Sequence, residues 1–296
     1  MRPLGDGLLV ETYAMNDRRE WLSFRSLILL LGFLFLYLPM FSLIVFSFNE
    51  SRLVTVWSGF SLKWYGELFE DQQMLDAAWM SLKIAFYTAC AATVLGTMAS
   101  LIMTRFRNFR GKTAFGGLIT APLVMPEVIT GVSILMMFVA IGDMIGTPIS
   151  RGVTTVWIAH VTLTVAFVTV VISSRMQEMD RSLEEAAMDL GANRLRVFFL
   201  ITLPIIAPAL VAGWLLAFTL SLDDLVIASF TNGPGSTTLP QKVFSSVRLG
   251  LSPKINALAS LLILAVSTAG FLAWWFMARE EKRRQRDMQL AMQKGD

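Results

Sequence analysis

Three carboxylates, Glu127, Asp223 and Asp224, lie inside stretches of sequence that are otherwise apolar. An ionised side chain at the centre of a lipid bilayer costs about 2.5–3.5 kcal/mol on insertion scales, so such groups face a polar cavity or a partner. A route lined by unpaired carboxylates attracts cations and repels anions. Few basic residues share their depth. Lys83 lies near the outer end of its stretch, from which its ammonium can snorkel outward. A linear diammonium ion fits this pattern better than a sugar, a phosphate or a neutral amino acid. The other reading is that each acid is hydrogen-bonded within a helix bundle or protonated by burial. Neighbouring helix positions point about 100° apart, so one of Asp223 and Asp224 is expected to face a pathway and the other to bond a neighbouring helix. Glu127 follows Ala114 by 13 positions, roughly 20 Å along a helix, which puts it near mid-membrane. Pro122 and Pro126 precede it and predict a kinked or partly unwound span there.

Other chemistry is poorly supplied. The one cysteine, Cys90, excludes an intrachain disulfide and a cysteine metal cluster. The one histidine, His160, has no evident partner in the sequence and reads as a bonded packing residue rather than a proton relay. Neither serine–histidine nor paired-carboxylate catalysis is supported, and no metal ligand set is expected. No G-x-x-x-x-G-K-[ST] loop cradles a nucleotide, so any energy source lies on another chain. The residues point to passage across a membrane, not to an enzyme.

The elements that must hold these acids are long apolar helices. The chain has 296 residues, of which 55% are hydrophobic and only 16% charged, and its mean hydropathy is +0.60. A soluble chain of this composition would expose apolar patches that soluble monomers avoid. Spanning a hydrocarbon core takes about 20 apolar residues in a helix. Six stretches qualify: 26–48, 78–104, 114–140, 154–173, 205–228 and 256–278. The short alternating segments of a β-barrel are not seen. The predicted fold is all-α and polytopic, with six transmembrane helices.

Orientation follows from the basic residues. The N-terminal segment, the 105–112 loop, the 174–204 loop and the tail hold 18 of the 25. The positive-inside rule puts these in the cytoplasm, together with both termini. Trp21, Trp79, Trp274 and Trp275 fall near span ends, where amphipathic rings favour the interface. The predicted organisation is a cytoplasmic N-terminal segment over 1–25, a transmembrane domain over 26–278 and a basic cytoplasmic tail over 279–296. The tail reads as a topology anchor at anionic lipid, not as a nucleic-acid site. No cleavable signal peptide is expected, and Met15 is an alternative start.

The outside loops are 49–77 and 229–255. The first carries Trp57, Phe60, Trp64, Tyr65, Leu68 and Phe69 and reads as a surface-lying amphipathic piece. The second opens with the turn signal Asn232-Gly233-Pro234-Gly235. Both are read as lids on the spans, with docking of an extracytoplasmic partner as the other reading.

The loop between the fourth and fifth spans is the most patterned. Ser182 and Glu185 have capping-box spacing. Leu183, Ala186, Ala187 and Leu190 share one face of a short helix. Gly191 can take a positive φ past its end, and Asn193 can cap a second helix beginning near Leu195. The acidic face of Glu184, Glu185 and Asp189 could meet basic groups on a partner. An ordinary hairpin packed on its own spans is the other reading.

Glu185-Ala186-Ala187, then Gly191, then Ile201-x-Leu203-Pro204 resembles the EAA motif of the permease subunits of bacterial ABC importers. The resemblance covers roughly 75–275, the six-helix (MetI-like) permease core, with the first span as an added helix. It implies that the short helix, with Glu184, Glu185, Ala186, Ala187, Asp189, Leu190 and Gly191, couples the spans to a cytoplasmic ATPase. The segments 121–129 and 221–230, with Thr238-Leu239-Pro240 and 243–248, look like the permeases of polyamine importers, and most like the putrescine branch. The resemblance further implies a bacterial inner-membrane location and a homologous second permease. It also implies an ATP-binding dimer that holds ATP and magnesium in this chain's stead, and a periplasmic polyamine-binding protein. Two other readings compete: a self-sufficient ion-coupled carrier or cation channel, which would need internal repeats that are not clear here, and a membrane scaffold.

Overall fold

The computed structural model describes residues 6–53, 56–106, 109–250 and 252–293, with 6–23, 249, 269, 273, 274, 276–278 and 280–293 described by their backbone alone. The side chains of Arg2, Arg18, Arg19, Trp21, Arg107, Trp274 and the tail bases from Lys282 to Lys294 therefore lie outside the described set. In chain order the helices are α1 (Asp6–Phe46), α2 (Lys63–Glu70), α3 (Gln72–Arg105), α4 (Lys112–Val124), α5 (Glu127–Ile145), α6 (Val153–Glu178), α7 (Ser182–Asp189), α8 (Arg194–Val197), α9 (Leu203–Asp223), α10 (Val226–Thr231), α11 (Leu239–Leu249) and α12 (Pro253–Gln293). A π-helical turn, Phe198–Thr202, joins α8 to α9. Extended pairing among the described residues is an isolated bridge between Asn49 and Phe60.

Among the described residues, six helical segments are long and apolar enough to cross a membrane: Phe24–Phe46, Gln72–Arg105, Glu127–Ile145, Val153–Glu178, Arg194–Asp223 and Pro253–Leu272. The expected six spans are present, the third interrupted at its prolines as predicted and the fifth corrected at its end. The third is two helices, α4 and α5, parted at Met125 and Pro126. Pro126 lacks the N–H that would continue the first helix, and it disfavours helical φ/ψ at Met125, which is extended with ψ 134°. The fifth span does not run to 228. It ends at Asp223, and α10 restarts three residues on.

The chain divides into two compact units. One comprises Met1–Glu70 and Gly250–Asp296. In it α12 packs on α1 and α2. The 47–62 segment is built on the buried Asn49, whose amide donates to Val56 O at 2.7 Å and whose side-chain oxygen accepts from the Ser51 and Ser58 N–H groups. The Trp64 indole donates to Asn49 O at 2.7 Å. Trp64 and Leu68 are the buried face of α2, while Phe60 and Phe69 are exposed, as the amphipathic reading of this loop requires.

The other unit, Asp71–Leu249, holds the acids and the patterned loop. Its core is the α3–α6–α9 trio, with Ala89, Ala92, Val168, Ile172, Met176, Ile206 and Ala217 buried together. Lipid offers no hydrophobic drive to bring helices together, so packing depends on small residues that let backbones approach. A Cβ on Gly96 would stand 2.7 Å from Val168 Cγ1, and one on Gly213 would stand 3.2 Å from it. Ser100 adds a hydrogen bond from α3 to Thr169 O on α6 at 2.9 Å. A second contact joins α5 to α10, where Gly131 lies against Ile227 and Phe230. The 229–249 stretch is wired onto the rest of this unit. Thr155 donates to Thr231 O, the Leu239 N–H to Ser81 Oγ, and Lys242 to Gln73 Oε1.

Candidate translocation and coupling sites

Asp223 and Asp224 have opposite environments. Asp223 is the last residue of α9 and is exposed, and no side chain bonds its carboxylate among the described residues. Asp224 is buried, with 4% of its side chain accessible. Its Oδ1 accepts from the Ile227 N–H at 3.3 Å and its Oδ2 from the Ala228 N–H at 2.7 Å. A carboxylate placed this way satisfies orphan N–H groups and meets the positive end of the α10 dipole. Its second partner is His160 on α6, whose Nε2 lies 3.1 Å from Oδ2, at ion-pair distance though without hydrogen-bond geometry. His160 Nδ1 is 2.7 Å from Ser221 Oγ in the last turn of α9.

The row Ser221–His160–Asp224 therefore crosses the break between α9 and α10 and ties both sides to α6. It contains the residue types of a nucleophilic triad but not the arrangement. Ser221 is 4% exposed and His160 1%, which leaves no space for an acyl substrate beside the hydroxyl. The row is a structural bolt. Local sequence around His160 names no partner for it. The available signal was height: His160 lies seven residues from the start of α6 and Asp224 one past the end of α9, ends that share a membrane side in a six-span layout.

Glu127 opens α5 and is exposed. There its charge meets the first N–H groups of a 19-residue helix, a favourable position for an anion. It stands one turn before Gly131, the residue packed on α10. No hydrogen bond or ion pair joins Glu127 to Asp223 among the described residues. Lys83 sits over the Trp79 ring, 5.1 Å from its centroid. Cys90 accepts from the Trp214 indole at 3.4 Å.

The loop between α6 and α9 is the helix, break and second helix that its spacing predicts. Gly191 has φ +87°. The Gly191 N–H bonds Met188 O and the Ala192 N–H bonds Ala187 O, the two bonds of a Schellman end. Asn193 Oδ1 accepts from the Arg196 N–H and caps α8. The π turn follows because Pro204 has no N–H and its ring crowds the carbonyl four residues back. The Leu203 N–H reaches Phe198 O instead.

Two expectations for this loop are corrected. Ser182 is not the cap of α7; it is the first residue of the helix, and its N–H donates to Asp180 Oδ1 at 2.9 Å. The Ser182 N–H, then its hydroxyl, hold the exposed Asp180 carboxyl below the usual carboxylate range. Nor is Glu184 on the free acidic face. Its Oε1 accepts from Arg105 Nη2 at 2.8 Å and Nε at 3.2 Å, and from Thr202 Oγ1 at 2.7 Å. Glu185 and Asp189 are exposed, as are Ala186, Leu190 and Gly191, while Ala187 is half-buried. Spacing along α7 could not reveal the inward turn of Glu184, because its partners stand 79 and 18 residues away.

Residues 92–286 match the family described as "Binding-protein-dependent transport system inner membrane component". The chain is 61% identical over 274 residues to the putrescine transport system permease protein PotI of Escherichia coli K12, covering 93% of this chain and 96% of that protein. It is 38% identical over 249 residues to the spermidine/putrescine transport system permease protein PotC of the same organism, covering 84% and 91%. Among solved structures, it resembles a chain of a bacterial ABC transporter involved in the import of the acidic polysaccharide alginate. The TM-score is 0.68 at 15% identity, over 87% of this chain and 96% of that one, a likeness of fold alone. The expected all-helical ABC-importer permease fold is met, and the reading as a self-sufficient carrier or channel finds no support. On the extent of these matches, the chain belongs to the inner-membrane permease components of binding-protein-dependent transport systems.

Proposed function

We propose that this chain is the permease subunit of an ATP-driven polyamine importer, with putrescine as its substrate. It forms half of the translocation path beside a homologous second permease. Substrate arrives from a periplasmic polyamine-binding protein, and an ATPase dimer, which holds ATP and magnesium, docks on α7. The termini and the α6–α9 loop face the cytoplasm of a bacterial cell, in its inner membrane. The observation that carries this reading is the 61% identity to PotI across nearly the whole of both chains. The exposed carboxylates of Asp223 and Glu127 support it chemically. A diamine carries two charges that anionic groups attract, and weak contacts of this kind let it leave again. Asp224 has another task. With its lone pairs taken by α10 and its charge set against His160, it holds the backbone that presents Asp223.

The test is replacement. In an E. coli strain lacking PotI, this chain is expected to restore energy-dependent uptake of labelled putrescine, with excess unlabelled spermidine competing more weakly than excess putrescine. A chain that inserts, recruits the ATPase and yet leaves putrescine uptake at background would refute the substrate assignment. If no ATPase joins it, the permease reading fails as well.

A further inference from the structure

Resting on the permease reading, we infer that Glu184, Arg105 and Thr202 form a clamp that makes the coupling helix move as one body with α3 and the foot of α9. They are positioning residues for energy coupling, and Glu185 beside them is left to meet the motor.

None of the residues of α7 is buried. A helix with no buried apolar side chain is not held in place by packing, so its attachment must come from polar ties and from its two ends. The structure supplies such ties. A single oxygen, Glu184 Oε1, accepts from two guanidinium nitrogens, Nε and Nη2, of the last residue of α3 and from the hydroxyl that closes the π turn. A parallel bond runs from Arg181 Nη2, just before α7, to Thr104 O at 2.6 Å. That carbonyl is one of the orphan acceptors at the end of α3. Thr104 Oγ1 in turn lies 3.6 Å from Met176 Sδ on α6.

The ties are sheltered. The Arg105 and Glu184 side chains are 17% and 15% accessible, and Thr202 is buried. Water competes poorly for them, and charge-assisted bonds of this kind are the stronger class. They also end at a mechanically distinct place. The π turn is wider than the helix on either side and is followed by Pro204 and Pro208, so it is the point at which α9 bends most easily. A displacement of α7 reaches that turn through Thr202 and reaches α3 through Arg105. Glu185, the next residue, is exposed and has no part in the clamp.

The test uses the whole importer, purified with its second permease and ATPase and placed in vesicles with its binding protein. Glu184→Gln keeps the shape and removes the charge, and Thr202→Val removes one hydroxyl and little else. In each, the ATPase is expected to co-purify as with the unaltered chain, while substrate imported per ATP hydrolysed falls at least fivefold. Arg105→Glu combined with Glu184→Arg is expected to recover more of that ratio than either change alone. The clamp is wrong if Glu184→Gln and Thr202→Val both keep the ratio within twofold of the unaltered importer. It is equally wrong if Glu184→Gln strips the ATPase from the complex, because Glu184 is then a docking residue. Glu185→Lys serves as the separate control on the permease reading, and it is expected to release the ATPase. An unaltered chain that binds no ATPase overturns that reading and the clamp together.

Discussion

The adjacent pair Asp223 and Asp224 shows how far a residue's neighbours decide its role. The two are chemically identical and one position apart, yet one is capped, paired and dry and the other is open. Asp224→Asn replaces one accepting oxygen with an amide that donates, toward backbone N–H groups and an imidazole that need acceptors. Unmaking a buried set of this kind costs about 1–3 kcal/mol, more where charge is involved. The expected result is a lower thermal midpoint in detergent and less folded chain in the membrane. Asp223→Asn removes an exposed charge that no side chain bonds among the described residues. Its midpoint is expected to stay within a degree or two, while diamine uptake by the assembled importer falls several-fold at low substrate. Loss of uptake in neither variant would remove the carboxylate route. That an ionisable residue in a span has work to do was legible in the sequence. Which of the two faces His160 was not, because the answer depends on how α6 and α9 are rotated against each other.

At the level of elements, two glycines separate what local chemistry dictates from what packing dictates. Gly191 has φ +87° and open space around it. A side chain there meets no neighbour but must enter the left-handed region, at about 1–2 kcal/mol. Gly191→Val is expected to fray the end of α7 and weaken ATPase association without lowering the thermal midpoint of the spans. Gly96 is the reverse case. Its backbone is helical, but a Cβ would press on Val168 at 2.7 Å. Gly96→Ala is expected to lower the midpoint through overpacking worth about 1–3 kcal/mol, and Val168→Ala in the same chain to restore part of the loss. The first glycine could be read from its place after a helical repeat, and so could the pause at Pro126. The second could not, since nothing in the residues around Gly96 says which face of α3 meets α6. The inward turn of Glu184 and the restart at α10 escaped for the same reason. Each is set by residues distant in the chain.

For the molecule as a whole the decisive quantity is the distribution of charge along six spans. The proposed topology places 18 of the 25 basic residues on the cytoplasmic side, the side that the positive-inside rule favours for them. The same arrangement decides whether α7 can meet an ATPase at all. If the α6–α9 loop faced outward, Glu185 and the clamp beneath it would have no motor to answer to. The single cysteine makes this easy to measure. Cys90 accepts from Trp214, so Cys90→Ser keeps an acceptor there and gives a thiol-free background. Into it go two exposed positions from opposite loops, Ser182→Cys at the start of the coupling helix and Ser245→Cys on α11. A membrane-impermeant maleimide added to intact spheroplasts is expected to label the second and spare the first. After lysis both should react. Labelling of Ser182→Cys in sealed spheroplasts would invert the topology, and with it the case that a cytoplasmic ATPase drives these helices through α7.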